Sequence, residues 1–352
     1  MPTTTKKNHR HKLPTAVLSA ALAGDGQVAY VGTMDGVYRI DSESGEHEKL
    51  YEHQSYVSGV ALIAEQSLLL SAGYDGKLMW YDVNEGQVVR HLTAHDFWSW
   101  RMAVSPNGNH VASVTGQYLA GGYEYEPAGE REPSVRVYRV KDGELVHSLP
   151  HVPSVQSVAF SPDSRFVAAG NLTGEIRVWD VESGEQVARW ETNDFTSWGI
   201  IKSHHYLGGV FDLHFSPDGE YLLLTGMGPM RDQMAGNGKQ MWQCFAWREE
   251  PPEKVKEFKG GEGLMETLAF HPNGKYFAMG GRLRGGDWNA AIFDYQSGAK
   301  VHSLKTGFRI TKALFSRDGN RLCLAGTQGQ PEPKKGKFKP FGRFDVYEFK
   351  TS

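Results

Sequence analysis

The chain is poor in cysteine: two residues, Cys244 and Cys323, among 352. Two thiols cannot build a disulfide framework or a cysteine-rich metal cluster. Both lie in strand-like runs, where a free cysteine acts as a small apolar side chain. Charge of one sign is also lacking, since 38 lysines and arginines face 41 aspartates and glutamates, for a formal net charge of −3. That balance gives no global reason to bind nucleic acid or an acidic surface. No apolar run is long enough to span a bilayer. No stretch carries a convincing 3.6-residue apolar rhythm, so almost no helix is expected. HExxH, G-x-S-x-G and CxxCH are missing too, which removes the usual local signatures of zinc proteases, nucleophile elbows and haem attachment.

Glycine, by contrast, is abundant at 41 residues, as many short strands joined by tight turns require. One turn recurs seven times: AGDG at 23–26, IAEQ at 63–66, SPNG at 105–108, SPDS at 161–164, SPDG at 216–219, HPNG at 271–274 and SRDG at 316–319. The spacing fits a unit of about 40 residues carrying insertions. An apolar strand precedes each turn, as in SVQSVAF (154–160), and a second follows, as in RFVAAG (165–170). A third strand alternates, as in KLMWYD (77–82) and EIRVWD (175–180), and a glycine turn leads to a fourth, as in ESGEQVARW (182–190). Four antiparallel strands, repeated, make a propeller blade. The expected fold is all-β: a single seven-bladed β-propeller over residues 1–352, with blades near 15–52, 53–94, 95–150, 151–192, 193–259, 260–306 and 307–352. The last blade ends at its third strand, so residues 5–14 are expected to supply its fourth by pairing with Phe344–Lys350. The basic N-terminus and the apolar AVLSAALAG after it have some of the shape of a secretory signal. The repeat count needs residues 16–23 as the first inner strand instead, so cytoplasmic residence is expected.

At this level the sequence resembles the WD-repeat (WD40) family. The defining Trp-Asp pair survives at Trp179-Asp180, and the second unit has Trp80-Tyr81-Asp82. Elsewhere the tryptophan position is read as Tyr138, Trp247, Phe293 and Tyr347. The family's Gly-His pair is reduced to His53, His95 and His151, and its Asp-Gly turn stands at Asp35-Gly36 and Asp75-Gly76. The resemblance implies a buried structural network in which His53, Ser71, Asp75 and Trp80 take part, with His95, His151 and Trp179 at equivalent places. The fourth unit has Thr173 in the aspartate position, so its network is expected to be incomplete. The scaffold hosts many unrelated jobs, so the resemblance speaks to fold more than to function.

Strand order places the first-to-second and third-to-fourth turns at one end of each blade, and the other connections at the opposite end. The long insertions fall at the second end: 115–133, 225–240, 281–289 and 326–342, with elaborate fourth-to-first loops at 95–100 and 193–209. Long loops on a rigid frame are the usual place for binding residues. Their composition suits a protein or peptide partner, because tyrosine, tryptophan and arginine dominate binding hot spots. The candidate set is Asp96, Phe97, Trp98, Trp100, Tyr118, Tyr123, Tyr125, Asp194, Trp198, Arg231, Arg282, Arg284, Asp287, Trp288, Phe338 and Phe341. A non-enzymatic interaction scaffold, monomeric by itself and without cofactor or metal, is the favoured reading. An enzyme or small-ligand propeller would use Asp96, Asp194, Asp232, Asp287, His204, His205, Glu124 or Glu126 over the central channel. A nucleic-acid reading would use the basic 334–343 loop, where Lys334, Lys335, Lys337, Lys339 and Arg343 alternate with Phe338 and Phe341.

Overall fold

The computed structural model describes residues 5–116, 134–152, 154–197, 207–228, 238–282, 286–329, 332 and 339–351. Local chemistry explains where the strands start. In the Ser-Pro-Asp/Asn turns the serine hydroxyl bonds the acid or amide two residues on and accepts the first amide of the next strand. Ser161 Oγ lies 2.5 Å from Asp163 Oδ1 and 2.9 Å from the Phe166 amide. Ser316 repeats this with Asp318 at 2.5 Å and Arg321 at 3.0 Å. Ser105 repeats it with Asn107 at 2.7 Å and His110 at 2.9 Å. Each turn then closes with an amide reaching back three residues, as Gly219 does to Ser216 at 2.8 Å. In the second turn the closing residue is Ser67, one beyond IAEQ, with a φ of 52°.

The fold is all-β. Among the described residues the strands form five four-stranded antiparallel sheets, one seven-stranded sheet and a two-stranded ribbon at Thr196–Ser197 and Leu207–Gly208. The sheet of Val155–Phe160, Phe166–Asn171, Glu175–Asp180 and Gln186–Glu191 is typical: neighbours in sequence are neighbours in space. The boundary expected at 259/260 falls inside an unbroken 18-residue strand, Glu253–Phe270, which links two four-stranded groups into the seven-stranded sheet. Gly260, Gly261 and Gly263 look like a turn in sequence. None of them takes up positive φ, so the chain stays extended through them.

The chain divides into two compact units, one of residues 1–93, 267–283 and 287–352 and one of residues 94–266 and 284–286. Within each, apolar side chains of adjacent sheets interleave. In the second unit, Phe166, Ile176 and Trp190 pack with Leu213, Leu224 and Phe245. In the first, Leu13, Val17, Val31 and Ile40 pack with Cys323 and Phe344. The N-terminal strand is where the sequence placed it. Thr5–Leu13 pairs antiparallel with Gly342–Phe349, from Thr5 opposite Phe349 to Leu13 opposite Gly342. It is held by more than its ladder: Arg10 Nη2 lies 3.1 Å from the buried Asp345 Oδ2 and 2.9 Å from the Thr306 carbonyl oxygen.

The third and fourth strands of each group slip register just before Tyr38, Tyr81, Tyr138, Trp179, Phe245, Phe293 and Tyr347, and the fifth group slips a second time between Lys239 and Met241. All seven aromatics are buried. This corrects two sequence assignments. Tyr81, opposite Leu69, is the counterpart of Trp179, opposite Val167; Trp80 is its neighbour across the bulge. In the fifth group Phe245 holds the position and Trp247 lies beyond the strand end. The unpaired residue of the bulge sits on the fourth strand, Val89 in the second group and Val255 in the fifth, so the aromatic position is defined by pairing and not by counting along the third strand.

Candidate interaction face

The histidines belong to the frame. His53 Nδ1 lies 3.1 Å from Asp75 Oδ1, and its Nε2 lies 2.8 Å from Ser71 Oγ. Tyr51, stacked on Tyr81 with ring centroids 4.9 Å apart, donates its hydroxyl to Ser71 at 2.9 Å. Tyr51 was invisible in the sequence reading, because it lies on the outer strand of the preceding sheet. Burial alone would raise the Asp75 carboxyl, but bonds from His53 and the Gln54 and Lys77 amides hold it below the usual range. In the first sheet Thr15 takes the histidine's place: Asp35 accepts from Thr15 at 2.7 Å, Thr33 at 2.8 Å and Tyr38 at 2.9 Å.

The network thins along the chain. His95 keeps the serine contact, with Nε2 2.9 Å from Ser113 Oγ, while its buried Nδ1 has no partner among the described residues. His151 is buried, and neither ring nitrogen has a hydrogen-bond partner among the described residues. The register explains why: the place of Ser71 and Ser113 is held by Ala169, and Asn171 instead of an aspartate braces the following turn. His151 packs edge-on against Trp179 at 5.8 Å. Burial, with Arg136 nearby, pushes His95 down to about 3; burial, with Arg177 nearby, does the same to His151. Ala169→Ser is expected to return a partner to His151 and raise stability by about 1 kcal/mol, seen as a higher Tm. A lower Tm would mean that the interior has no room for the hydroxyl.

The face residues divide into exposed and buried sets. Trp98 is 43% exposed and stacks on half-buried Phe97 at 5.2 Å, with Asp96 exposed beside them. Trp100 is half-buried and donates Nε1 to the Gly116 carbonyl at 2.8 Å. Asp194 is half-buried and accepts from Gln243 at 2.6 Å, and Phe195 is fully buried, whereas Asp96 is exposed and Phe97 half-buried. Arg282 and Asp287 are exposed. Two of the face candidates are buried: Trp288 is 6% exposed beneath Lys300, and Phe341, 3% exposed, lines the cleft described below. Tyr118, Tyr123, Tyr125, Trp198, Arg231, Arg284 and Phe338 lie outside the described residues. So do Glu124, Glu126, His204, His205, Asp232, Lys334, Lys335 and Lys337. Among the described residues no three His, Cys, Asp or Glu side chains converge as a metal site requires.

At this same end of the sheets the first unit holds a cleft of about 710 Å³, within the ~300–1,000 Å³ common for ligand clefts. Tyr56, Tyr74, Phe308 and Phe341 contribute walls, and Arg282, Arg309 and Gln328 bring polar groups. Asn289 holds the rim: Nδ2 donates to the Phe308 carbonyl at 2.7 Å, and Oδ1 accepts the Thr306 amide at 2.9 Å.

The model of the WD domain, G-beta repeat, matches residues 46–82 and 143–180. Each match runs from the outer strand of one sheet through three strands of the next, and they include His53 and His151 respectively. The chain is an all-β protein carrying WD40 repeats. Telomerase protein component 1 of Rattus norvegicus is 26% identical over 274 residues, which cover 76% of this chain and 9% of that protein. Apoptotic protease-activating factor 1 of Rattus norvegicus is 27% identical, covering 60% of this chain and 16% of that protein. The guanine nucleotide-binding protein subunit beta of Oryza sativa subsp. japonica is 22% identical, covering 79% of this chain and 67% of that protein. The chain thus spans a small fraction of the first two relatives and about two thirds of the third.

Proposed function

We propose that this chain is a non-enzymatic protein-interaction scaffold whose partner docks at the sheet ends carrying the second-to-third and fourth-to-first connections. The seven-blade count belongs to the same proposal: the long strand Glu253–Phe270 serves two groups, and seven buried aromatics mark seven third strands. The observation that carries the docking reading is the division of the face. Exposed Trp98 stands on a connection with buried Ser99 and half-buried Trp100, and exposed Arg282 on one that carries buried Trp288 and Asn289. Rigid support under exposed aromatic and arginine side chains is the arrangement of an interface anchor.

Paired substitutions test it. Trp98→Ala is expected to leave Tm within about 1–2 °C, as an exposed substitution of roughly 0.5 kcal/mol or less does. It should cut partner recovery from native extract at least fivefold. Trp288→Ala is expected to cost about 3–5 kcal/mol of stability, as a buried Trp truncation does. Full recovery of the same proteins by Trp98→Ala would move the docking surface elsewhere.

A further inference from the structure

The cleft in the first unit offers a ligand one charge and few acceptors. Arg282 is exposed and has no hydrogen bond or ion pair among the described residues, whereas Arg309 is already engaged. The described lining includes no aspartate or glutamate. Its acceptors are used by the fold itself. Gln328 Oε1 accepts Arg343 Nε at 2.8 Å, which leaves the amide NH2 to donate, and Asn289 Oδ1 accepts the Thr306 amide at 2.9 Å. Rim carbonyls are taken as well: Ala16 by the Met34 amide at 3.2 Å, Phe308 by Asn289 at 2.7 Å and Phe341 by the Gln328 amide at 2.8 Å. Half-buried Leu18 and Met34 and buried Phe308 make apolar walls beside these polar groups.

We infer that this cleft receives the C-terminal residue of the partner, its free carboxylate on Arg282 and an apolar side chain against Leu18, Met34 and Phe308. The inference rests on the scaffold reading and specifies which part of the partner is held. A guanidinium meets a carboxylate through two parallel charge-assisted bonds. An ionised carboxylate only accepts, so it suits a site where the Gln328 NH2 and the exposed Tyr56 hydroxyl can donate and few acceptors are left. A segment running through the cleft would bring backbone N–H groups on both sides of its anchor, each needing an acceptor. A chain end brings them on one side only. The single unpaired cation also matches one carboxylate better than an acidic run.

The test uses the whole chain and three hexapeptide pools labelled with fluorescein at the N-terminus. The first pool ends in leucine, isoleucine, valine, methionine or phenylalanine with a free carboxylate, and the second has the same sequences as C-terminal amides. The third is amidated and carries one internal glutamate; N-acetyl-leucine serves as a small-acid competitor. In anisotropy titrations the first pool is expected to bind at least tenfold more tightly than the other two. Arg282→Gln should bring it down to the level of the amides with an unchanged melting curve, since the side chain is exposed. Equal binding of the first two pools, tighter binding of the third, or no effect of Arg282→Gln would overturn the chain-end assignment and leave the scaffold reading standing. Displacement by N-acetyl-leucine at the same concentration as by unlabelled peptide would overturn the partner as the source, in favour of a small carboxylic acid. Binding by no pool would overturn the cleft as a chain-end site, and the Trp98→Ala capture experiment then decides the scaffold reading separately.

Discussion

A chain lacking residues 1–13 is expected to melt far below the intact protein and to aggregate. The deletion removes a whole strand and leaves the edge of Gly342–Phe349 open, and an unpaired edge is a template for other chains. It also removes Leu13, which is completely buried, worth about 1.5–3 kcal/mol in lost burial. Without Arg10 the buried Asp345 carboxylate loses its ion-pair partner. Breaking a fully buried pair costs about 3–5 kcal/mol. Arg10 is 42% exposed on its side chain, so the lower end applies here. With the ladder bonds, at ~0.5–1.5 kcal/mol each, the loss is on the order of 5 kcal/mol or more. Differential scanning calorimetry with light scattering reads both effects. A melting temperature within about 2 °C of the intact chain would show that the strand is dispensable.

The second large effect is acid sensitivity that begins near neutrality. His95 and His151 are held down to about 3 by burial, and the unfolded chain has them near 6.5. Between those values the unfolded state binds two protons that the folded state does not. Their contribution is complete above pH 6.5 and falls on acidification, by about 1.4 kcal/mol per pH unit for each histidine. By pH 4.5 the loss is on the order of 5 kcal/mol. Half-buried His110 and His302, also lowered by burial, act in the same direction. The depressed carboxylates Asp35 and Asp75 act in a separate window, because their contribution is lost only as pH falls below the ordinary carboxylate range. The double variant His95→Gln, His151→Met should therefore show a flatter decline between pH 6.5 and 4.5 by urea unfolding. An unchanged slope would place those histidines in water.

The parts of this fold that are local in cause were legible in the sequence. A Ser-Pro-Asp-Gly turn carries its own hydrogen bonds, so the seven turns and the strands between them could be read directly. The N-terminal strand was reached by counting: a blade short of one strand needs another, and one segment was left over. What could not be read depends on register or on distant partners. Pairing with the second strand places the aromatic position at Tyr81 and not Trp80, and at Phe245 and not Trp247. Arg10 and Asp345 are 335 residues apart, and neither sits in a motif. Trp288 and Phe341 have interface composition but are turned inward, because a long insertion needs an apolar anchor of its own. Arg282 was legible as an exposed arginine on a decorated loop; Arg309, Asn289 and Gln328 were not, since only the fold brings them to the same cleft.

Cross-linking mass spectrometry of the complex captured from native extract tests the central claim most directly. With a carboxyl-and-amine cross-linker, contacts with the partner are predicted at exposed Asp96, Asp287 and Lys339, all on the connections at the binding end of the sheets. Cross-links confined instead to the outer strands, through Glu48, Lys49, Glu191 or Lys256, would contradict it and place the partner on the rim of the sheets.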